Sequence, residues 1–134
     1  MSGLILKLNP KERVLINGAV IENGDRRSKF RIMTPKANVL RLRDAINPEK
    51  VNTPVRRACY MTQLVLTGDV DPEGVQSEIL AQINQLKTVF IDQDSRNHLT
   101  NAANALIQNQ YYYCLKALRG LLTQEDHLLG VTPA

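Results

Sequence analysis

The spacing of apolar residues changes once along this chain, close to Thr53, and this change constrains the fold most strongly. Before it, apolar residues form short runs or alternate with charged ones, as in half-buried strands. After it they recur every three or four residues, as in amphipathic helices. The sequence therefore predicts an α+β fold in one compact unit. A small antiparallel β module of four to five strands occupies 1–50, and a helical module of three to four helices occupies 51–134.

The predicted strands are separated by turn residues and lie at 4–8, 13–16, 19–21, 29–33 and 38–43. Asn17-Gly18 and Asn23-Gly24 are both turn signals, because Asn and Gly tolerate positive φ. Alternation places Lys29 and Arg31 on one face of a strand, with Phe30 on the opposite, core-facing side. The same pattern puts Arg41 and Arg43 on one face of the last strand. If the two strands share a sheet, four cations line up.

The predicted helices begin with recognisable caps. Thr53 and Asp71 each precede a proline, which is favoured at the first helical position, and Gly68 is a typical helix stop. A third helix is predicted at 96–109 and a fourth from 111 to about 122. The tail from Thr123 is predicted to be loose, with frayed residues at 131–134.

Charge is distributed unevenly along the chain. Residues 1–57 contain 13 Lys/Arg and 5 Asp/Glu, and residues 58–134 contain 4 and 8, giving balances of +8 and −4. A basic first half suits a polyanion such as RNA. A solvated sheet face that merely carries charge is the alternative. The candidate RNA-binding residues are Arg26, Arg27, Lys29, Arg31, Lys36, Arg41, Arg43, Arg56 and Arg57.

Two features of these candidates qualify the RNA interpretation. Arg56 and Arg57 lie at a helix start, where the macrodipole favours anions, so they indicate either function or pairing with Glu49 or Asp44. Phe30 is the only aromatic residue before residue 58, so a base-stacking platform is missing. Tyr111-Tyr112-Tyr113 cannot supply one, because consecutive helical residues point about 100° apart. We expect the tyrosines to serve packing, with a partner anchor as the alternative.

The sequence contains no pattern typical of an enzyme. Cys59 and Cys114 are predicted to be reduced core thiols, and His98 and His127 to be surface residues. No zinc-ligand spacing and no phosphate-binding loop is present. We therefore expect no catalytic residues, no metal and no cofactor. The absence of a long apolar run and of a secretory signal predicts a cytoplasmic protein that does not enter membranes.

Three segments resemble the FlbT family of flagellar regulators: 12–27 with both Asn-Gly pairs, Asn52-Thr53-Pro54-Val55-Arg56-Arg57, and the tyrosine-rich segment 111–119. The resemblance covers nearly the whole chain. It implies a post-transcriptional regulator of flagellin synthesis in an alphaproteobacterium. Such a regulator binds the 5′ untranslated leader of flagellin mRNA and alters its translation or lifetime, usually as a repressor. The small flagellar protein FlaF is the companion that the family implies.

A weaker similarity connects the N-terminal part to the carbon storage regulator (CsrA) family, which binds RNA leaders as a small β dimer. Leu4-Ile5-Leu6, Thr34-Pro35-Lys36 and the basic residues after them carry this similarity. By position it implies an RNA surface on Leu4, Lys7, Arg41 and Arg43. A homo-oligomer is left open. The competing hypothesis is a protein-interaction module, or a chaperone-like adaptor in flagellar assembly, without direct RNA binding.

Overall fold

The computed structural model describes residues 3–34 and 37–130 and has the predicted α+β architecture. Strands come first and helices follow. The strands are β1 (Leu4–Leu8), β2 (Arg13–Ile16), β3 (Ala19–Glu22), β4 (Ser28–Ile32) and β5 (Val39–Arg41). The helices are α1 (Pro54–Leu66), α2 (Pro72–Val89), α3 (Gln93–Ile107), α4 (Tyr111–Arg119) and α5 (Leu122–Leu129). Short 3₁₀ turns at Leu42–Asp44 and Pro48–Lys50 connect the two parts.

The strands form two antiparallel sheets rather than one. β1 pairs with β4, and the second sheet has the order β3-β2-β5. Asn17 and Gly18 make the predicted two-residue hairpin turn between β2 and β3, with φ values of 48° and 85°. The second Asn-Gly pair is different, because Asn23 is buried and its side chain ties loops together. Asn23-Gly24 does end β3, as predicted, but β3 does not pair with β4 and neither residue has positive φ, so the pair is not a hairpin turn.

The three-stranded sheet lies between two apolar cores. On one face, Val14 and Val39 pack with Leu6 and Leu8 of β1 in a small β core. On the other face, Leu40 belongs to the large core of the helices. Alternation along the strands thus gives β5 one buried residue for each core. This arrangement places β1, and β4 paired with it, on the face of the three-stranded sheet opposite the large core.

The helix starts follow the predicted capping chemistry. Thr53 Oγ1 accepts a hydrogen bond from Arg56 N, and Asp71 Oδ1 accepts one from Glu73 N. Gly68 follows α1 with φ +84°, as expected for a helix stop. In the part of the chain that the structure describes, every helix is too short or too polar to cross a membrane.

The described residues of the helical part form five α-helices, one more than the upper limit predicted. The predicted fourth helix ends as α4 at Arg119, before Gly120, and α5 is the additional helix. Gly120 is needed there because a Cβ would lie 2.6 Å from the ring of His98. The prediction of a loose tail from Thr123 is wrong for residues up to Leu129, which form α5. Residues 131–134 lie outside the described residues.

Two buried carboxylates of α5, those of Glu125 and Asp126, hold this helix against the start of α1. Glu125 Oε2 accepts a hydrogen bond of 2.8 Å from Val55 N, and its Oε1 accepts the hydroxyl of Thr53. Asp126 accepts a hydrogen bond of 3.1 Å from Arg56 Nη1. These carboxylates stand at the N-terminus of α1, where the helix dipole favours negative charge. The acids of α5 thus balance the arginine that fits poorly at the start of α1.

Replacing the buried acid should therefore release α5. We expect Glu125→Ala to lower the free energy of unfolding by about 3 kcal/mol, because Val55 N–H and the Thr53 hydroxyl lose their acceptor. Urea unfolding of the purified protein measures this loss. Glu78→Ala, on the exposed surface of α2, is the matched control and should change stability by less than about 0.5 kcal/mol. Equal effects of both variants would contradict the docking role of Glu125.

Candidate nucleic-acid interface

The outer face of the β1–β4 sheet concentrates basic side chains. Lys7 lies directly opposite Lys29, and Ile5 lies directly opposite Arg31. Directly opposed residues of an antiparallel pair project from the same face, so these four side chains lie together. All four are exposed. Like charges directly opposite each other destabilise a sheet, so this arrangement costs stability in the free protein.

The inner face of the same sheet is apolar, as the alternation predicts. Phe30 lies opposite Leu6, which is buried in the β core. Phe30 is therefore on the side away from Lys29 and Arg31, although it retains 36% exposure. The basic side has no aromatic ring from either strand.

The segment before β4 adds Arg26 and Arg27, both exposed. Asn23 positions this segment, because its Nδ2 donates to the carbonyl oxygens of Asn9 and Arg26, each at 2.8 Å. The side chain thereby joins the end of β1 to the start of β4. Sequence reasoning missed this role, because Asn before Gly is the usual signal of a turn.

We call Lys7, Arg26, Arg27, Lys29 and Arg31 the basic face. Among the described residues, no carboxylate lies within 4.0 Å of any of these five cations. Neighbouring cations of the β module do have partners, since Lys11 pairs with Asp25 and Arg13 with Glu22, each at 2.9 Å. The basic face thus combines exposure with the lack of an acidic neighbour among the described residues, and its strand residues Lys7, Lys29 and Arg31 project from one side of the sheet.

Arg41 and Arg43 do not extend this face across one sheet. β5 pairs with β2, not with β4, so the four-cation line that a shared sheet would give is not formed. Arg41 is a partly buried structural group, whose Nε lies 2.7 Å from Glu12 Oε2 and whose Nη2 lies 2.8 Å from Oε1. Its guanidinium also donates to the carbonyl oxygen of Lys7. β5 ends at Arg41, so Arg43 lies in a 3₁₀ turn, with Nε 3.6 Å from Glu12 Oε2.

The other predicted site residues lie apart from the basic face. Arg56 is three-quarters buried and bound to Glu125 and Asp126, so the suggested partners Glu49 and Asp44 are wrong. The hydrogen bond to Asp126 raises the pKa of Arg56, which therefore stays charged. Arg57 is exposed on α1. Lys36 lies outside the described residues.

The three consecutive tyrosines occupy three different environments, as predicted from helical geometry. Tyr111 is buried in the helical core, Tyr112 packs against the β core, and Tyr113 is 45% exposed. The rings of Tyr112 and Tyr113 meet edge to face, with centroids 5.4 Å apart. They pack against protein and do not form one stacking surface for bases.

The described residues offer little to catalysis or metal binding. Nowhere among them do three or more His, Cys, Asp or Glu side chains come together in a way that could hold a metal ion. Burial raises the pKa of Cys59 and of Cys114 to about 12, so both thiols remain neutral at physiological pH. Neither thiol is a ready nucleophile or ligand.

The Glu12–Arg41 pair should make stability depend on acid pH. The hydrogen bond from Arg41 lowers the pKa of Glu12 from 4.5 to about 2. A depressed carboxyl pKa stabilises the fold above the unfolded-state pKa and loses this effect as pH falls through the folded-state pKa. Above pH 5, the free energy of unfolding of the wild type should therefore exceed that of Glu12→Gln by about 2–3 kcal/mol. This difference should shrink between about pH 5 and pH 2. Urea titrations across this range measure it, and a difference that does not vary with pH would contradict the assignment.

Comparison with known proteins gives a consistent result over nearly the whole chain. The family described as flagellar protein FlbT matches residues 4–129. The flagellum biosynthesis repressor protein FlbT of Caulobacter vibrioides (strain ATCC 19089 / CIP 103742 / CB 15) is 31% identical over 127 residues, covering 95% of this chain and 89% of that protein. The probable flagellum biosynthesis repressor protein FlbT of Rhodopseudomonas palustris (strain TIE-1) is 30% identical over 127 residues, covering 95% and 98%. No solved structure shows significant similarity. The chain belongs to the FlbT family of flagellar proteins.

Proposed function

We propose that this protein represses flagellum biosynthesis by binding the 5′ untranslated leader of flagellin mRNA through its basic face. The observation that carries the proposal is Lys7 directly opposite Lys29 on an exposed sheet face. Two relatives that share about 30% of its residues are named as flagellum biosynthesis repressors or probable repressors. RNA as the target rests on the charge of the face and on the family resemblance.

A phosphate backbone would relieve the repulsion on this face. Lys29 and Arg31 are two residues apart on β4, so their stems leave the sheet about 7 Å apart. Lys7 adds a cation across a strand gap of about 5 Å. A flexible single strand can adapt its phosphates to such a cluster, and each phosphate neutralised releases counterions. RNA binding would therefore offset the repulsion between Lys7 and Lys29, which destabilises the free protein.

The absence of aromatic rings on the basic side shapes the expected mode of binding. Stacking of bases on aromatic rings contributes affinity that responds little to salt. Contacts from lysine and arginine to phosphates respond strongly to salt. We expect the salt-sensitive contacts to phosphates to dominate RNA binding here, and arginine hydrogen bonds to bases to provide selectivity. Lys7 would join Arg26, Arg27, Lys29 and Arg31 as a contact.

Repression needs no catalytic group in this arrangement. A protein bound to the leader can occupy the region that a ribosome needs, or can expose the message to nucleases. Either route changes the translation or lifetime of the message.

A second candidate function follows from a different surface. A groove of about 570 Å³ lies between the end of β4 and the turn that joins α3 to α4. The described residues that line it are uncharged and include Met33, Leu66 and Tyr113. Met33 is 71% exposed. Such a surface suits an apolar protein segment better than RNA, and FlaF is the partner that the family resemblance implies.

Removal of two cations from β4 tests the RNA proposal. Lys29→Gln with Arg31→Gln should weaken binding to a flagellin leader about tenfold at moderate salt and reduce the log–log salt slope by about 1.4, because two phosphate contacts are lost. The matched control changes Lys87 and Arg96, which lie on α2 and α3, to glutamine. Filter binding across a salt series measures both, with a shuffled leader as the RNA control.

The possible results separate the candidate functions. A selective loss in the β4 variant, with the control variant unchanged, supports the basic face. Equal binding of leader and shuffled RNA would reduce this face to a nonspecific polyanion surface. No binding of wild type at low salt would contradict the RNA proposal and favour a protein partner at the uncharged groove.

A further inference from the structure

A small polar cavity lies where the β module meets the helices, at the seam between β5 and α4. It has a volume of about 110 Å³, and Arg41, Arg43, Asp44, Tyr112 and Lys116 are among its lining residues. This volume accommodates a few water molecules or one tetrahedral anion. The cavity brings together residues of both modules that are about 70 positions apart in the chain.

Positive charge is in excess at this seam. Four cations, Arg41, Arg43, Lys116 and Arg119, meet two carboxylates, Glu12 and Asp44. Glu12 is committed to Arg41 through two short hydrogen bonds. Asp44 is shared at longer range, 3.5 Å from Arg119 Nε and 3.9 Å from Arg43 Nε. For Lys116, no carboxylate of the described residues lies within 4.0 Å.

The hydroxyl of Tyr112, which also lines the cavity, is an uncharged hydrogen-bond donor. Its phenol lies beside Arg41, and burial raises its pKa, so the hydroxyl keeps its proton at physiological pH. Lys116 and Arg43 are exposed enough to reach a ligand from outside. Two exposed cations and a neutral hydroxyl around a partly enclosed cavity are suited to binding a phosphate.

We propose that the seam holds one backbone phosphate of the bound RNA, with Lys116 and Arg43 as charged donors and the Tyr112 hydroxyl as a neutral donor. This inference rests on the proposed function and extends it, because it brings the helical module into the RNA site. Arg41 connects the seam to the basic face, since its guanidinium donates to the carbonyl oxygen of Lys7. An RNA strand leaving the basic face at Lys7 therefore has the seam as a neighbouring cationic site.

Single substitutions at the rim test the seam. Lys116→Gln should reduce the salt slope of leader binding by about 0.7, the contribution of one phosphate contact on a single strand, and weaken binding severalfold. Tyr112→Phe should weaken binding severalfold without changing the slope, because it removes a hydrogen bond and no charge. Lys87→Gln on α2 is the control and should leave slope and affinity unchanged. Urea unfolding of Tyr112→Phe checks that packing against the β core persists.

A second measurement uses inorganic phosphate and the wild-type protein without RNA. Amide resonances of Arg43 and Lys116 should shift weakly with phosphate, and leader RNA should displace this effect at far lower concentration. Unchanged RNA binding in Lys116→Gln would overturn the seam proposal, while the β4 double variant still tests the basic face separately. Saturable phosphate binding without any RNA binding would also overturn it, in favour of a site for a free anion.

Discussion

The partly buried ion pair between Glu12 and Arg41 holds the β module together. Arg41 belongs to β5, Glu12 precedes β2, and the same guanidinium reaches the carbonyl oxygen of Lys7 in β1. One side chain thus ties the two sheets together. Because β1 carries β4 with it, the pair also fixes the direction in which the basic face points. The partly buried carboxylate and guanidinium satisfy each other, which is the condition under which such a pair is tolerated.

This pair shows why net charge alone is a poor guide to function here. Some arginines of the basic half are paired within the β module: Arg41 with Glu12 in a partly buried pair, and Arg13 with Glu22 on the surface. Arg56 is likewise held by the two acids of α5. The cations left without an acidic neighbour on β1 and β4 are the ones that share an exposed face. Pairing therefore divides the arginines and lysines into structural and available groups more clearly than their number does.

Local sequence signals predicted local structure well. The alternation in β1, the Asn17-Gly18 turn and the capped start of α1 act over a few residues, so their physics is readable from the chain. Pairing between β1 and β4 joins segments about 25 residues apart and could not be read in this way. The burial of Glu12 and the docking of α5 on α1 likewise depend on partners distant in sequence. For the same reason, the position of Lys7 opposite Lys29 and that of Lys116 beside Arg43 could not be predicted from the local sequence pattern.

Asn23 lies in a connection between strands, as its sequence pattern predicts, but it does not form the hairpin turn that an Asn-Gly pair usually forms. Asparagine is favoured where a side chain must satisfy backbone groups of a turn. Here it satisfies two carbonyls of different segments, and it does so from a buried position. These hydrogen bonds hold the segment that leads into β4 and contains the exposed Arg26 and Arg27 against the end of β1. A feature typical of a hairpin thus supports the candidate interface.

The most direct test of the account is a map of the RNA contact on the intact protein. Isotope-labelled protein titrated with a flagellin leader RNA gives amide shifts residue by residue. The account predicts the largest shifts in β1, in β4 and in the segment that contains Arg26 and Arg27, with little change along α2. Shifts confined to the uncharged groove around Met33 and Tyr113, or the absence of any shift, would contradict the claim that the basic face binds the message.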